Sequence, residues 1–138
     1  MDIMTPSERS ARMSLIRSRD TYPELIVRSL IHRMGYRYRL YSRDLPGRPD
    51  LVFRSSRKVI FVHGCFWHLH RNCPNCRPPK SKLDYWKPKL EGNARRDKLV
   101  RRQLKQLGWQ YLIVWECETD NPKKLSRKVK KFLVVRHG

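Results

Sequence analysis

Three of the five histidines and three of the four cysteines are crowded between His63 and Cys76. The run reads His63-Gly-Cys65-Phe66-Trp67-His68-Leu-His70-Arg-Asn-Cys73-Pro-Asn-Cys76, and the remaining cysteine, Cys117, stands far downstream. Thiolates and imidazoles gathered this closely are the donor set that tetrahedral Zn²⁺ prefers, and a small domain gains folding free energy from such a site. The opening residues carry no apolar signal segment, which argues against a secreted disulfide framework. A redox Cys73-x-x-Cys76 would want a strand-to-helix setting that is missing here. A structural zinc is therefore expected. Spacing leaves two ligand sets open: the local Cys65, His70, Cys73 and Cys76, which it slightly favours, or the same set with Cys117 in place of Cys76.

A metal staple suits a chain whose core is lean. The 138 residues suit one domain, spanning 1–138, and only about a quarter of them are Leu, Ile, Val or Phe. Against 12 acids stand 32 Lys and Arg, a formal charge of +20. Such an excess makes a polyanion, most plausibly nucleic acid, the expected partner. No apolar run approaches the ~20 residues a membrane span needs, so no membrane partner is expected.

The pattern along the chain supplies a scaffold. Thr5-Pro-Ser-Glu8 reads as a capping box opening a helix to about Arg17 that is poor in apolar residues and so free to meet a partner. Thr21-Tyr-Pro-Glu24 opens a second helix, with Val27, Leu30, Ile31 and Met34 forming a core-facing stripe and Gly35 its stop. Tyr36–Tyr41 alternates as a strand; Asp50–Phe53 and Lys58–Val62 are two more. Asp84–Glu91 reads as a short helix disturbed by Pro88, followed by a helix over Asn93–Leu107 with Leu99, Val100, Leu104 and Leu107 inward. Trp109–Trp115 is the most apolar strand and is expected at the centre of the sheet. Asp120-Asn-Pro122 caps a last helix carrying Leu125, Val129, Phe132 and Leu133 on one side. The order α-α-β-β-β-α-α-β-α is met most simply by a small mixed sheet with helices on both faces, an α/β fold.

With the zinc ligands assigned, His63 and His68 remain. Histidine titrates near neutral pH, so His68, fixed three residues after Cys65, is a candidate general base; packing is its ordinary alternative. Phosphodiester hydrolysis commonly uses Mg²⁺, which takes hard oxygen ligands. Pro49-Asp50 opens a strand whose expected neighbour ends at Val62, so the Val62 carbonyl would lie near Asp50, the skeleton of a restriction-endonuclease-like metal site. The usual acid-x-Lys is replaced by Val62-His-Gly64. Glu24 is ordinarily a helix N3 acid but could face that site, and Asp97, set among Arg95, Arg96 and Lys98, ordinarily forms an ion pair. Phe66, Trp67 and Trp86 are either packing around the zinc or aromatics that stack on bases.

Taken together, these segments resemble one family, the very-short-patch mismatch-repair endonucleases (Vsr). The likeness runs from about Met4 to Glu118 and is densest in Arg12–Glu24, Leu45-Pro-Gly-Arg-Pro-Asp50, Phe61–His68, Asn93 with Arg96-Asp97, Leu107-Gly-Trp109 and Val114–Cys117. The resemblance implies a restriction-endonuclease-like mixed sheet flanked by helices, with a structural zinc. It implies Mg²⁺-dependent nicking of the T-containing strand at T:G mismatches left by 5-methylcytosine deamination. Asp50 then matches the metal-binding aspartate and the Val62 carbonyl the second protein ligand, where family members often carry Thr. His68 matches the general base, His63 a second catalytic histidine, and Glu24 and Asp97 supporting polar residues. Phe66, Trp67 and Trp86 match the wedge beside the mismatch, and Met13, on an N-terminal DNA-contacting helix within residues 1–20, a residue approaching from the opposite groove. For zinc the resemblance selects Cys65, His70, Cys73 and Cys117. A monomer in the bacterial cytoplasm, associated with the nucleoid and with mismatch-repair proteins as candidate partners, is the corresponding expectation. The rival readings are a related restriction or structure-specific endonuclease and a non-catalytic zinc-stabilised DNA-binding module.

Overall fold

The computed structural model describes residues 21–68, 70, 73 and 83–134. The expected helix over Thr5–Arg17, Met13 within it, and Cys76 lie outside the described residues.

Helix α1 spans Tyr22–Arg33, and the Thr21 hydroxyl accepts the Glu24 N–H at its start. Its stripe of Val27, Leu30 and Ile31 is buried as the spacing predicts. Strand β1 is only Arg39–Leu40, because Tyr41 adopts φ 49° and turns the chain away. Tyr36 and Tyr38 still pack against the core, so the period-2 pattern reports their facing even where no ladder forms. Strands β2, Leu51–Phe53, and β3, Lys58–His63, follow.

Helix α2, Leu83–Gln106, is one element of 24 residues rather than the expected two. Pro88 lies close to its start, where the missing N–H forfeits a single bond to an early carbonyl. Val100 and Leu104 face the sheet, but Leu99 and Leu107 are about half exposed, contrary to expectation. Leu99 sits a quarter-turn off the inward stripe, and Leu107 lies past the last helical residue. Strand β4, Gln110–Trp115, a 3₁₀ turn over Glu116–Asp120 and helix α3, Pro122–Leu133, complete the order.

The sheet runs β1-β2-β3-β4, antiparallel between the first three strands and parallel between β3 and β4. The expectation that Trp109–Trp115 is central is therefore corrected: β2 and β3 are the inner, nearly fully buried strands and β4 ends the sheet among the described residues. Even-numbered Ile60 and Val114 face α1 and α3, with Val27, Ile31, Leu125 and Val129 closing that core. Odd-numbered Val59 and Phe61 face α2 and Leu104, with Tyr111 and Ile113 alongside. The mixed sheet with helices on both faces is thus as the element order predicts.

The outer side of β4 is covered at its C-terminal end. Gln110 turns its N–H to the Arg57 carbonyl on the β3 side, so the backbone groups of Ile113 and Trp115 point outward. Lys128 Nζ donates to the Ile113 carbonyl (2.9 Å), and the Trp115 N–H donates to Glu118 Oε1 (2.8 Å). Lys128 and Glu118 are themselves paired at 2.7 Å. No described helix is long and apolar enough to cross a membrane.

Candidate active site and metal cluster

The antiparallel pairing of β2 with β3 brings Asp50, immediately before β2, beside the end of β3. The Val62 N–H donates to Asp50 Oδ2 over 2.6 Å. Both residues line a cavity of about 610 Å³ that also collects Glu24, His63, His68 and Asp97. Six residues from five separate segments thus meet in one concavity. Burial pushes the Asp50 carboxyl up from 3.8 to about 7; the Val62 N–H pulls against that rise and the nearby Glu24 charge adds to it. A carboxylate held so far from water is one whose charge calls for a cation, which fits a hard divalent metal.

Glu24 is buried at 4% exposure. It does not fold back to cap its helix: its carboxylate accepts the Tyr41 hydroxyl (2.6 Å) and Arg28 (3.0 Å). Arg28 also donates to the Tyr41 hydroxyl, so the three side chains join in a polar cluster beside the cavity.

His63 ends β3, buried at 6% exposure. Its imidazole is pushed down to about 3, first by burial and then by the His68 charge, so it is neutral near physiological pH. Its Nδ1 is buried without a hydrogen-bond partner among the described residues. The ring stacks on His68 with centroids 3.7 Å apart and planes 6° from parallel. His68 follows a turn closed by its N–H on the Gly64 carbonyl (3.1 Å), and its Nδ1 lies 2.6 Å from Asp97 Oδ2. Asp97 is therefore not spent on its basic sequence neighbours. Asn93, one helical turn earlier, donates to the Trp67 carbonyl (3.1 Å), so two residues on one face of α2 hold the Gly64–His68 segment.

Donor atoms of His63, His68 and Asp97 lie within 4.8 Å of one another. Stacked rings hold their in-plane lone pairs in parallel planes, and His68 Nδ1 is already engaged by Asp97. The trio suits proton transfer better than chelation.

The second cluster is Cys65, His70, Cys73 and Cys117, again with donor atoms within 4.8 Å. The His70 N–H donates to the Cys65 carbonyl (2.9 Å), and Cys117 Sγ lies 3.6 Å from His70 Nδ1. Burial and neighbouring sulfurs push the Cys65 thiol up to about 12, and burial raises Cys117. Three crowded thiols and one imidazole form a donor set suited to Zn²⁺, whose binding would displace the thiol protons. The four residues brought together are those the resemblance selects, with Cys117 supplied by the 3₁₀ turn after β4.

Between the two clusters stands Trp115, which the sequence places only in a core strand. The parallel register sets it opposite His63. Its indole meets the His63 ring edge-on at 5.4 Å and stacks on His70 at 4.1 Å. Beside them, Phe66, Trp67 and Trp86 form a half-buried aromatic triangle with centroids 4.9, 5.6 and 5.5 Å apart.

Comparisons with known proteins show the family. The family described as DNA mismatch endonuclease Vsr matches residues 1–75. The chain is 47% identical over 132 residues to the Type II nicking enzyme V.XorIIP of Xanthomonas oryzae pv. oryzae, covering 96% of each chain. It is 40% identical over 125 residues to the DNA mismatch endonuclease Vsr of Escherichia coli, covering 91% of this chain and 80% of that one. It is also 40% identical over 120 residues to the Type II nicking enzyme V.NmeAIP of Neisseria meningitidis serogroup A, covering 87% of this chain and 85% of the relative. With its family match extending over more than half its length and relatives of this kind along nearly all of it, the chain belongs to the Vsr family and is a DNA endonuclease, a hydrolase that nicks its substrate.

Proposed function

We propose that the protein nicks the T-containing strand of a T:G mismatch in double-stranded DNA, with Mg²⁺ as the catalytic cofactor and Zn²⁺ as a structural one. The observation that carries this reading is the meeting of Asp50, Val62, His63, His68 and Asp97 in one cavity, a few residues from the aromatic triangle. Membership of the family excludes the non-catalytic binding module.

Asp50 and the Val62 carbonyl would hold Mg²⁺, which supplies Lewis-acid polarisation of the phosphate and a more acidic water. Asp97 accepts the Nδ1 proton of His68 and so leaves Nε2 as the basic nitrogen. From that nitrogen His68 takes the proton of the attacking water as one P–O bond of the strand breaks. Neutral His63, packed on the His68 face, fixes the ring and adds no competing charge. Glu24 holds the cavity wall through Arg28 and Tyr41. Cys65, His70, Cys73 and Cys117 would hold the zinc and thereby fix both ends of the segment bearing Phe66, Trp67 and His68. Phe66, Trp67 and Trp86 present flat faces that wedge into the duplex, at an unstacking cost of a few kcal/mol per step that a mismatch lowers. Met13 is assigned to the opposite groove by resemblance alone. The charge of +20 supplies salt-dependent phosphate affinity.

The test is nicking of a labelled duplex with one T:G pair beside its T:A control, in several contexts around methylated cytosines, with Mg²⁺ and with EDTA. A Mg²⁺-dependent nick confined to the T strand of the mismatch supports the reading. Equal cutting of both duplexes replaces it with a sequence-directed nicking activity.

A further inference from the structure

Arg101 stands on α2 four residues after Asp97, one turn along the same face, and lines the cavity together with His63 and His68. The ordinary partner for an arginine at that spacing is the carboxylate four residues earlier. Asp97 is instead committed to His68 at 2.6 Å, and no carboxylate pairs with Arg101 among the described residues. A half-buried guanidinium has given up part of its hydration without gaining an anion among the described residues. The other two arginines on this cavity, Arg43 and Arg48, are exposed and sit on the loop before Asp50. Arg101 alone is carried on a helix that also positions the general base, so its distance from the reacting centre is set by the same rigid element.

We infer that Arg101 binds the phosphate at which the strand is cut, its planar fork engaging the non-bridging oxygens of the phosphate that Asp50 and His68 act upon. This rests on the cavity being the nicking centre. A guanidinium matches a phosphate bidentately and stays charged at every working pH. Charge grows on those oxygens as water adds to phosphorus, so the contact strengthens in the transition state and acts on the rate more than on ground-state affinity.

The experiment uses the full-length, zinc-loaded protein and a duplex whose nick position has been mapped with the wild type. Single-turnover nicking at saturating protein is compared for wild type, Arg101→Gln and Arg101→Lys. A fall of about 10- to 100-fold for Arg101→Gln, with partial recovery in Arg101→Lys, is expected. Gln and Lys are good helix formers, and unchanged thermal melts establish that both variants fold. Binding is then measured in an Asp50→Ala background to two duplexes, one natural and one with an uncharged methylphosphonate at the mapped position. Arg101→Gln should weaken binding to the natural duplex by several-fold and leave the methylphosphonate duplex unaffected. Wild-type nicking by Arg101→Gln, or an equal binding loss on both duplexes, overturns the inference. Undiminished nicking by Asp50→Ala overturns the reading of the cavity instead, and so separates the two failures.

Discussion

His68 Nδ1 and Asp97 Oδ2 are 2.6 Å apart, and the ion-pair geometry joins a turn after β3 to the middle of α2. The carboxylate fixes which imidazole nitrogen carries the proton and which way the ring faces. Asp97→Asn keeps the shape and offers a donor or a weaker acceptor in its place. It should lower the saturated nicking rate by about 10²- to 10⁴-fold. DNA affinity should change by less than threefold. Single-turnover rates across pH, alongside binding titrations, check this.

Asp50 makes stability depend on pH in the absence of Mg²⁺. Its carboxyl is raised from 3.8 to about 7 in the folded protein. Between those values the folded state keeps a proton that the unfolded chain has released. The contribution of Asp50 to stability is therefore full below pH 4 and is lost as pH rises through 7. Asp50→Asn removes that decline and also abolishes nicking. Melts of zinc-loaded protein without Mg²⁺ should show the variant ahead by about 2 kcal/mol at pH 8.5 relative to its standing at pH 5.5, one pKa unit corresponding to about 1.4 kcal/mol. Mg²⁺ should restore the wild type at the higher pH.

Zinc removal should disable catalysis without touching a catalytic residue. His68 lies between Cys65 and His70, and Trp115 packs against both His63 and His70. Cys117→Ser should reduce bound zinc and lower stability by several kcal/mol, on the order expected for a structural site. Its near-ultraviolet dichroism should change as the Trp115 stack loosens. Metal analysis, dichroism and nicking should fall together; full activity in a zinc-free preparation would contradict the assignment.

Gly47 and Gly35 offer a matched pair. Both have positive φ, 75° and 91°, but a Cβ on Gly47 would stand 2.6 Å from Val100 Cγ1 while one on Gly35 meets nothing. Gly35→Ala should cost about 1 kcal/mol, from backbone strain alone. Gly47→Ala should cost a further 1–3 kcal/mol from overpacking, measured by denaturant unfolding.

Much of this architecture is legible in the residues. The Thr21 cap, the Val27-Leu30-Ile31 stripe and the Asn121-Pro122 start of α3 are local signals that the structure reproduces. The position of β4 was not legible. Apolar content reports whether a strand's faces are covered, and β4 is covered by α2 and α3; it does not report whether its edges have hydrogen-bond partners. Helical spacing puts Asn93 and Asp97 on one face but not what they meet there, which is the Trp67 carbonyl and His68. Trp115 was hidden for the same reason, since its place between two clusters depends on a parallel register set across a whole helical crossover.

The Lys128–Glu118 pair on the outer side of β4 has a consequence for the chain in a crowded cell. An open strand end is a template on which a foreign extended segment can zip up and seed aggregates. Here an intruder would have to strip one charge from the Ile113 carbonyl and the other from the Trp115 amide before its first two bonds could form. Intrusion at that end of the sheet is thus opposed by groups the protein already needs to close its own backbone. The same two side chains make the Trp115 end of that strand a poor place for someone else's fold to begin.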